Sequence, residues 1–404
     1  MFKRTISRRG IVHWLTAIVL VALATLPLIA YPAASSSPTA VGDQASGAAA
    51  LPAGWQAVYT DAAFGWRDIH FSSPASNIGF AVGGPPTWES GGAGKILKTI
   101  DGGASWQMLP TETPGWLRGV YCKNESTCWI AGRSGLIRRT TDGGSSWQDA
   151  NKLTAYGGWL YSVTGTGDGD TILAGATCND VGNFLRAADG FNFDAVKVDA
   201  CYVQWDISCP LPGRCFSAAN NAAIYRSYDN GVNWTHQVAG WGKRYTISCT
   251  DQRTCWVGGE HGEIFRTIDG GWTWTEQLNT GNQSIMRIRM ISPTQGYAIG
   301  DCCVIYRTTN GLTWTAFSSP TTSELSGLYV RSMNDFFVTD WAGNVWRYYQ
   351  SPGTPTVTPT PTATIVPPEN IREATAASSY FNNWEGYANQ GTQIRIQEIG
   401  RAHV

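Results

Sequence analysis

Charge is scarce in this sequence. Asp, Glu, Lys and Arg make up 15% of its 404 residues, and the formal net charge is −1. Four of the positive charges, Lys3, Arg4, Arg8 and Arg9, lie before Gly10, so the rest of the chain is mildly acidic. A mildly acidic body argues against nucleic acid as the main partner, since phosphate neutralisation needs a basic face. Histidine is also rare. His13 and His403 stand near the termini, and His70, His236 and His261 are far apart in sequence. No C-x-x-C, H-E-x-x-H or G-x-S-x-G motif and no phosphate-cradling glycine loop is present, so no metal and no cofactor is expected. Beyond residue 34 no segment carries an apolar period of 3.6, which excludes a helical body.

Glycine (46) and tryptophan (19) are abundant instead, a composition suited to short twisted strands and tight turns. Residues 1–34 read as an export signal or membrane anchor: a basic KRTISRR stretch precedes an uncharged apolar run from Ile11 to Ala34. Ser7-Arg8-Arg9-Gly10-Ile11-Val12 resembles a twin-arginine signal. The run is long enough to span a bilayer, so both a cleaved signal and a retained anchor stay open. The ten cysteines fit an exported protein. Cys122/Cys128, Cys209/Cys215 and Cys249/Cys255 share one spacing and are expected to form disulfides across short hairpins. The pairing of Cys178, Cys201, Cys302 and Cys303 is left open.

Internal repetition decides the architecture. ILKTIDGGASWQ, IRRTTDGGSSWQ, IYRSYDNGVNWT, IFRTIDGGWTWT and IYRTTNGLTWT are near copies, and FLRAADGFNFDA is a worn one with Phe193 in place of Trp. Asp101, Asp142, Asp189, Asp229, Asp269 and Asn310 recur at intervals of about 40 residues, the period of a four-stranded propeller blade. A basic residue stands three positions before each: Lys98, Arg139, Arg186, Arg226, Arg266 and Arg307. The same step leads to Arg347, where the copy stops before its turn. The strand-like segment from Gly54 to Thr60 precedes the first copy and is expected to supply the outer strand of the last blade, closing the ring. The expected fold is therefore all-β, a monomeric seven-bladed propeller over residues 51–350.

The repeated box matches S/T-x-D-x-G-x-x-W, the Asp-box or BNR repeat, apart from the worn copy and the Asn310 copy. In it the acidic side chain accepts backbone N–H groups within the turn between the third and fourth strands. Glycine supplies positive φ. Trp106, Trp147, Trp234, Trp274 and Trp314 bury a large face between sheets and are expected to satisfy their indole N–H locally. The box residues are structural rather than catalytic or calcium-binding. The basic residues from Lys98 to Arg347 are expected to pair with carboxylates of adjacent blades. Residues 35–50 read as a flexible segment and 351–368 as a Thr/Pro-rich linker. Residues 369–397 read as the start of a further module, and 398–404 as a sequencing artefact.

The Cys-x5-Cys hairpins, the Ile-x-Arg-Thr-x-Asp-Gly-Gly runs and the repeat period together resemble the photosystem II assembly and stability factor family. That resemblance implies a lumenal or periplasmic seven-bladed propeller without known catalysis, acting as an assembly chaperone for a membrane-protein subunit. A secreted or surface-tethered protein that binds a protein partner is the function it suggests here.

Propellers place ligands on one face, around the channel lined by the innermost strands. Alignment of those strands on Ile69, Val120, Val163, Ile207, Ile247 and Met290 puts Arg67, Arg118, Tyr161, Trp205, Tyr245 and Ile288 in one column. Arg244, Arg287 and Arg289 lie beside it. Arginine interleaved with aromatics suits a protein-binding rim, so Arg67, Arg118, Tyr161, Trp205, Arg244, Tyr245, Arg287 and Arg289 are the candidate partner-binding residues. The bland alternative is inter-blade packing. Glycoside hydrolysis is the rival activity, because Asp boxes also occur in sialidases. The segment Gly65-Trp66-Arg67-Asp68-Ile69 lacks the F/Y-R-I-P signature, leaving Asp68, Asp206, Glu260, Asp301 and Asp340 as candidate carboxylates. Trp88, Trp116 and Trp159 are the candidates for glycan binding without cleavage.

Overall fold

The computed structural model describes residues 51–86, 92–152, 157–177, 182–198, 200 and 202–351. The export segment, the linker, the further module, Trp88, Cys178 and Cys201 lie outside the described residues. Among the described residues no helix is long and apolar enough to cross a membrane.

Seven antiparallel sheets follow one another in chain order, as the repeat count requires. The fifth blade is representative: Arg244–Cys249 is innermost, followed outward by Cys255–Gly259, Ile264–Thr267 and Thr275–Leu278. The third blade carries a fifth strand, Asn151–Lys152, paired parallel to its outer strand Asn192–Val196. In the seventh blade the outer position is taken by Trp55–Thr60, with Gln56 opposite Arg347. Closure removes two unpaired strand edges at once. Trp55 fixes the joint: its ring packs edge-on against Phe336 and Tyr348, and its Nε1 donates to Ser318 O at 3.0 Å.

The core lies between sheets. One column of the second strands, opposite the basic column, reads Phe80, Trp129, Leu173, Phe216, Trp256, Tyr297 and Phe337. The turn tryptophan of each following blade docks against this column or close to it. Trp147 meets Phe80 with ring centroids 5.7 Å apart, Trp106 meets Phe337 at 6.3 Å, and Trp234 stacks on Phe184 at 4.2 Å. Each such aromatic pair adds about 0.5–1.5 kcal/mol beyond the area it buries. The indole N–H is satisfied within its own turn at Trp234, which donates to Gly231 O at 3.0 Å. Trp314 reaches Gln277 Oε1 of the preceding blade. Trp106, Trp147 and Trp274 have no acceptor among the described residues, so local satisfaction is not general.

The basic column also departs from expectation. Its direct cross-strand neighbours are mostly aromatic, so it lies over rings instead of seeking carboxylates in the next blade. Arg139 sits 5.3 Å from the Trp129 centroid, Arg266 5.2 Å from Trp256 and Arg347 5.3 Å from Phe337. Arg347 does bind a carboxylate, but Asp335 belongs to its own blade.

The repeat turns behave as their chemistry dictates. Asp142 accepts from Thr140 Oγ1 at 2.7 Å, Ser146 N at 2.9 Å and Ser146 Oγ at 2.6 Å. The Ser146 hydroxyl and amide, with Thr140, hold this exposed carboxyl down to about 2. Gly143 and Gly144 take φ of 68° and 86°, values that a residue with Cβ adopts only at a cost. Asp101, Asp229 and Asp269 repeat the arrangement with Ser105, Asn233 and Thr273. Asp189 and Asn310 keep the amide contacts, to Asn192 N and Thr313 N.

Disulfides join Cys122–Cys128, Cys209–Cys215 and Cys249–Cys255, each across the hairpin between the first two strands of its blade. Cys302 and Cys303 are free thiols in the turn after Gly296–Gly300.

Candidate functional site

The innermost strands run side by side around a channel, and side chains of one blade accept main-chain N–H groups of the next. Asp68 Oδ2 accepts Val120 N at 3.0 Å, Asp206 Oδ2 accepts Ile247 N at 3.2 Å, and Thr246 Oγ1 accepts Ile288 N at 2.9 Å. A second tier uses His70 Nδ1 for Cys122 N, Ser208 Oγ for Cys249 N and Ser248 Oγ for Met290 N. Burial and the nearby Arg289 push the His70 pKa down to about 3, so Nδ1 stays free to accept. These rungs enclose a cavity of about 380 Å³ lined by Asp68, His70, Asp206, Arg287 and Arg289 among others.

The rungs also fix the register. Ile288, not Met290, is the sixth blade's counterpart of Val120 and Ile247, since it pairs with Ala298 as Val120 pairs with Ile130. The column facing the mouth therefore contains Met286, and Ile288 is fully buried. A shift of two residues preserves the in–out alternation of a strand, so the pattern Ile285, Ile288, Met290 could not reveal it.

At the end of the channel where the innermost strands begin, a small cleft of about 40 Å³ opens. It is lined by Arg67, Arg118, Tyr161, Trp205, Tyr245, Met286, Arg287, Ser326 and Trp341. Tyr161, Trp205 and Tyr245 form a continuous aromatic arc, with centroid separations of 4.4 and 5.2 Å. Arg67 lies 3.5 Å from the Trp341 centroid, and Arg118 lies 5.0 Å from both Trp159 and Tyr161. Side-chain hydrogen bonding is sparse here. Arg67 is 4% exposed, and Nε, Nη1 and Nη2 all lack a hydrogen-bond partner among the described residues. Arg118 Nε and Arg287 Nε are likewise buried without one. Burial, helped by the neighbouring Arg118 and opposed by Glu324, pulls the Arg67 pKa down to about 9. Burial pulls Arg118 down as well, and it pushes the Glu324 carboxyl up.

Two of the sequence candidates fall outside this cleft. Arg244 is fully buried and paired with Glu263, in the strand position held by Trp66, Leu117, Leu160, Ile285 and Leu325 in other blades. It faces the blade interior, over the Phe265 ring at 5.0 Å. Arg289 lies deeper in the channel, 3.3 Å from Asp206 Oδ2. Sequence reasoning missed Met286, Ser326 and Trp341. Trp341 occupies the turn position held by Glu260 and Asp301 in other blades, so alignment of those turns would have found it.

Of the five candidate carboxylates, Asp68 and Asp206 line the same cavity, and the other three stand in separate blades. Glu260 binds Lys243 Nζ at 3.0 Å, Asp301 accepts Ser284 N at 3.3 Å, and buried Asp340 accepts Asn344 N and Trp346 Nε1. Asp68 and Asp206 serve as rungs of the channel wall. Trp116 is buried behind Arg67 and offers no face to a sugar; Trp159 is half-buried against Arg118 and Arg133. Among the described residues no group of three metal-ligating side chains occurs.

No family model matches the chain. No curated protein matches it either. Solved structures do. One described as YCF48 bound to D1 peptide superposes with a TM-score of 0.60 at 18% identity, covering 75% of this chain and 98% of that one. YCF48 from Cyanidioschyzon merolae gives 0.59 at 18%, covering 74% and 99%. The WD40 β-propeller domain of Doa1 gives 0.56 at 13%, covering 74% and 98%. At these identities the likeness is one of fold, and the fold it shows is the propeller ring.

Proposed function

We propose that this chain is an exported, non-enzymatic propeller scaffold that grips an extended, carboxylate-bearing segment of a membrane-associated protein partner across the channel mouth. The observation that carries this reading is the Arg67 guanidinium, buried and without a hydrogen-bond partner among the described residues. A buried cation in that state costs stability unless something occupies it, and an incoming carboxylate would supply two parallel acceptors. The aromatic arc beside it suits a peptide backbone with apolar side chains, since aromatic residues and arginine dominate protein-binding hot spots. The cleft admits one side-chain head group at a time, which favours an extended segment over a folded surface. The ring shared with a structure described as YCF48 bound to D1 peptide supports the same reading. So do the repeat motifs that resemble photosystem assembly factors.

The test is fluorescence anisotropy with a panel of labelled extended peptides, each in acidic and amide-substituted form. Acidic peptides should bind, their amide forms should bind weakly, and Arg67→Met, Arg118→Met and Arg287→Met should each weaken binding. Equal binding of acidic and amide forms by wild type and variants would sink the reading.

A further inference from the structure

On the opposite face of the ring, the repeat turns of the fourth, fifth and sixth blades carry exposed apolar tips. Tyr228 and Val232 project from the fourth blade, Ile268 and Trp272 from the fifth, and Leu312 from the sixth. Trp272 is 64% exposed and Ile268 60%. The same turn in the second blade carries Thr141, Ser145 and Ser146, and the first blade's carries a single exposed apolar residue, Ile100, so the paired and neighbouring tips belong to the arc of the fourth to sixth blades. Cations are interleaved with the rings. Arg226 lies 3.6 Å from the Trp272 centroid and 5.9 Å from that of Tyr228, and Arg214 lies 4.1 Å from Tyr228. We propose that this arc of turn tips inserts into the interface of a lipid bilayer bearing anionic headgroups.

Three features favour a membrane over a protein as the occupant. The tips rise from tight turns of three successive blades, a convex arrangement that suits a fluid surface better than a complementary one. Trp and Tyr beside Arg is the composition found where protein meets the headgroup layer; here half-buried Arg214 is the cation placed to meet a phosphate, since Arg226 is buried against Trp272. Finally, the chain enters the ring on this face. Trp55 lies opposite Tyr348 at the end of the third strand, where the other blades have their repeat turns. The residues before Leu51 include the apolar run Ile11–Ala34, and residues 35–50 reach at most about 55 Å when fully extended. Membrane contact on this side leaves the arginine mouth facing away, open to a partner. The proposal does not depend on that mouth being a binding site.

The test uses residues 51–351, because all seven sheets, the closing strand and the core clusters lie within that span. This protein is floated with phosphatidylcholine vesicles, with and without phosphatidylglycerol. Wild type should float, more strongly with phosphatidylglycerol and less in high salt. Ile268→Ser/Trp272→Ser should lose at least about tenfold in partitioning with an unchanged thermal melt. Tyr228→Ser/Leu312→Ser serves as the independent second variant should the first fail to fold. Arg67→Met should float as wild type does, which keeps this test separate from the mouth. Absence of flotation by wild type, the outcome expected of a protein-docking patch, overturns the proposal. So does flotation undiminished in the folded tip variants.

Discussion

On the face that carries the repeat turns, the Asp142 carboxylate is matched by Thr140, Ser146 and a backbone amide, although it is exposed. On the opposite face the Arg67 guanidinium is buried over the Trp341 ring and has no hydrogen-bond partner among the described residues. Both stand in the same seven-fold repeat. A solvated, fully bonded group stabilises its turn, and a desolvated, unbonded one costs stability. The box carboxylates therefore bear the signs of architecture, and the mouth bears those of a surface kept ready for something else. Substitution can test this contrast at four levels.

The largest effect is expected where a satisfied buried acceptor is removed. Asp206 holds Ile207 N, Ile247 N and Thr246 Oγ1 and faces Arg289. Asp206→Ala strands these donors inside the channel wall and should cost about 3–5 kcal/mol, read from the denaturation midpoint. A loss below about 1 kcal/mol would mean that the rungs between blades do not hold the ring together.

Next comes the mouth, where the sign should reverse. Arg67→Met removes an unpaired buried cation, so stability should hold or rise by about 1 kcal/mol. Affinity for an acidic peptide should meanwhile fall about thirtyfold or more, the range of a hot-spot residue. A destabilised variant with intact binding would turn the comparison around and make Arg67 a packing residue. At the turns, Asp229→Ala should cost about 1 kcal/mol, because water replaces part of what Asn233 and Ser227 donate to this exposed carboxylate. Peptide binding should not change.

The same contrast explains what could be read without coordinates. Repetition made the blade count, the closing strand and the three hairpin disulfides legible, because each depends on residue type at a fixed spacing. Burial of a particular side chain has no such period. Arg244 and Arg67 both flank the start of an innermost strand, yet one faces the blade interior beside Glu263 and the other the mouth. A single step along a strand separates those fates. The sixth blade failed differently: with no cysteine pair to mark its hairpin, its strand was placed two residues out of register, and Met286 was lost from the mouth column.

The smallest effect is on pH dependence, and it differs in sign between the faces. Asp101, Asp142, Asp189 and Asp269 are held at about 2 in the folded chain, against about 3.9 when unfolded. Between those values the unfolded chain binds more protons, so their stabilisation is complete above about pH 4 and is lost as pH falls towards 2. Glu324, at the mouth, has its carboxyl raised above 4.5 by burial, with Asp301 adding to the effect. The folded chain therefore binds its proton more tightly than the unfolded one. That contribution is complete below about pH 4.5 and is lost as pH rises through the raised value. Stability measured by urea denaturation across pH should separate the two. Asp142→Asn should flatten the slope below pH 4 and leave the region above pH 4.5 unchanged. Glu324→Gln should flatten the upper region and leave the acid limb alone. If both variants altered the same limb, the difference in solvation between the two faces would not be the cause. An upper region that Glu324→Gln leaves unchanged would likewise mean that Glu324 is hydrated at the open mouth, and that the cleft around Arg67 is wetter than its burial implies; the variant is needed because buried His70 acts with the opposite sign there.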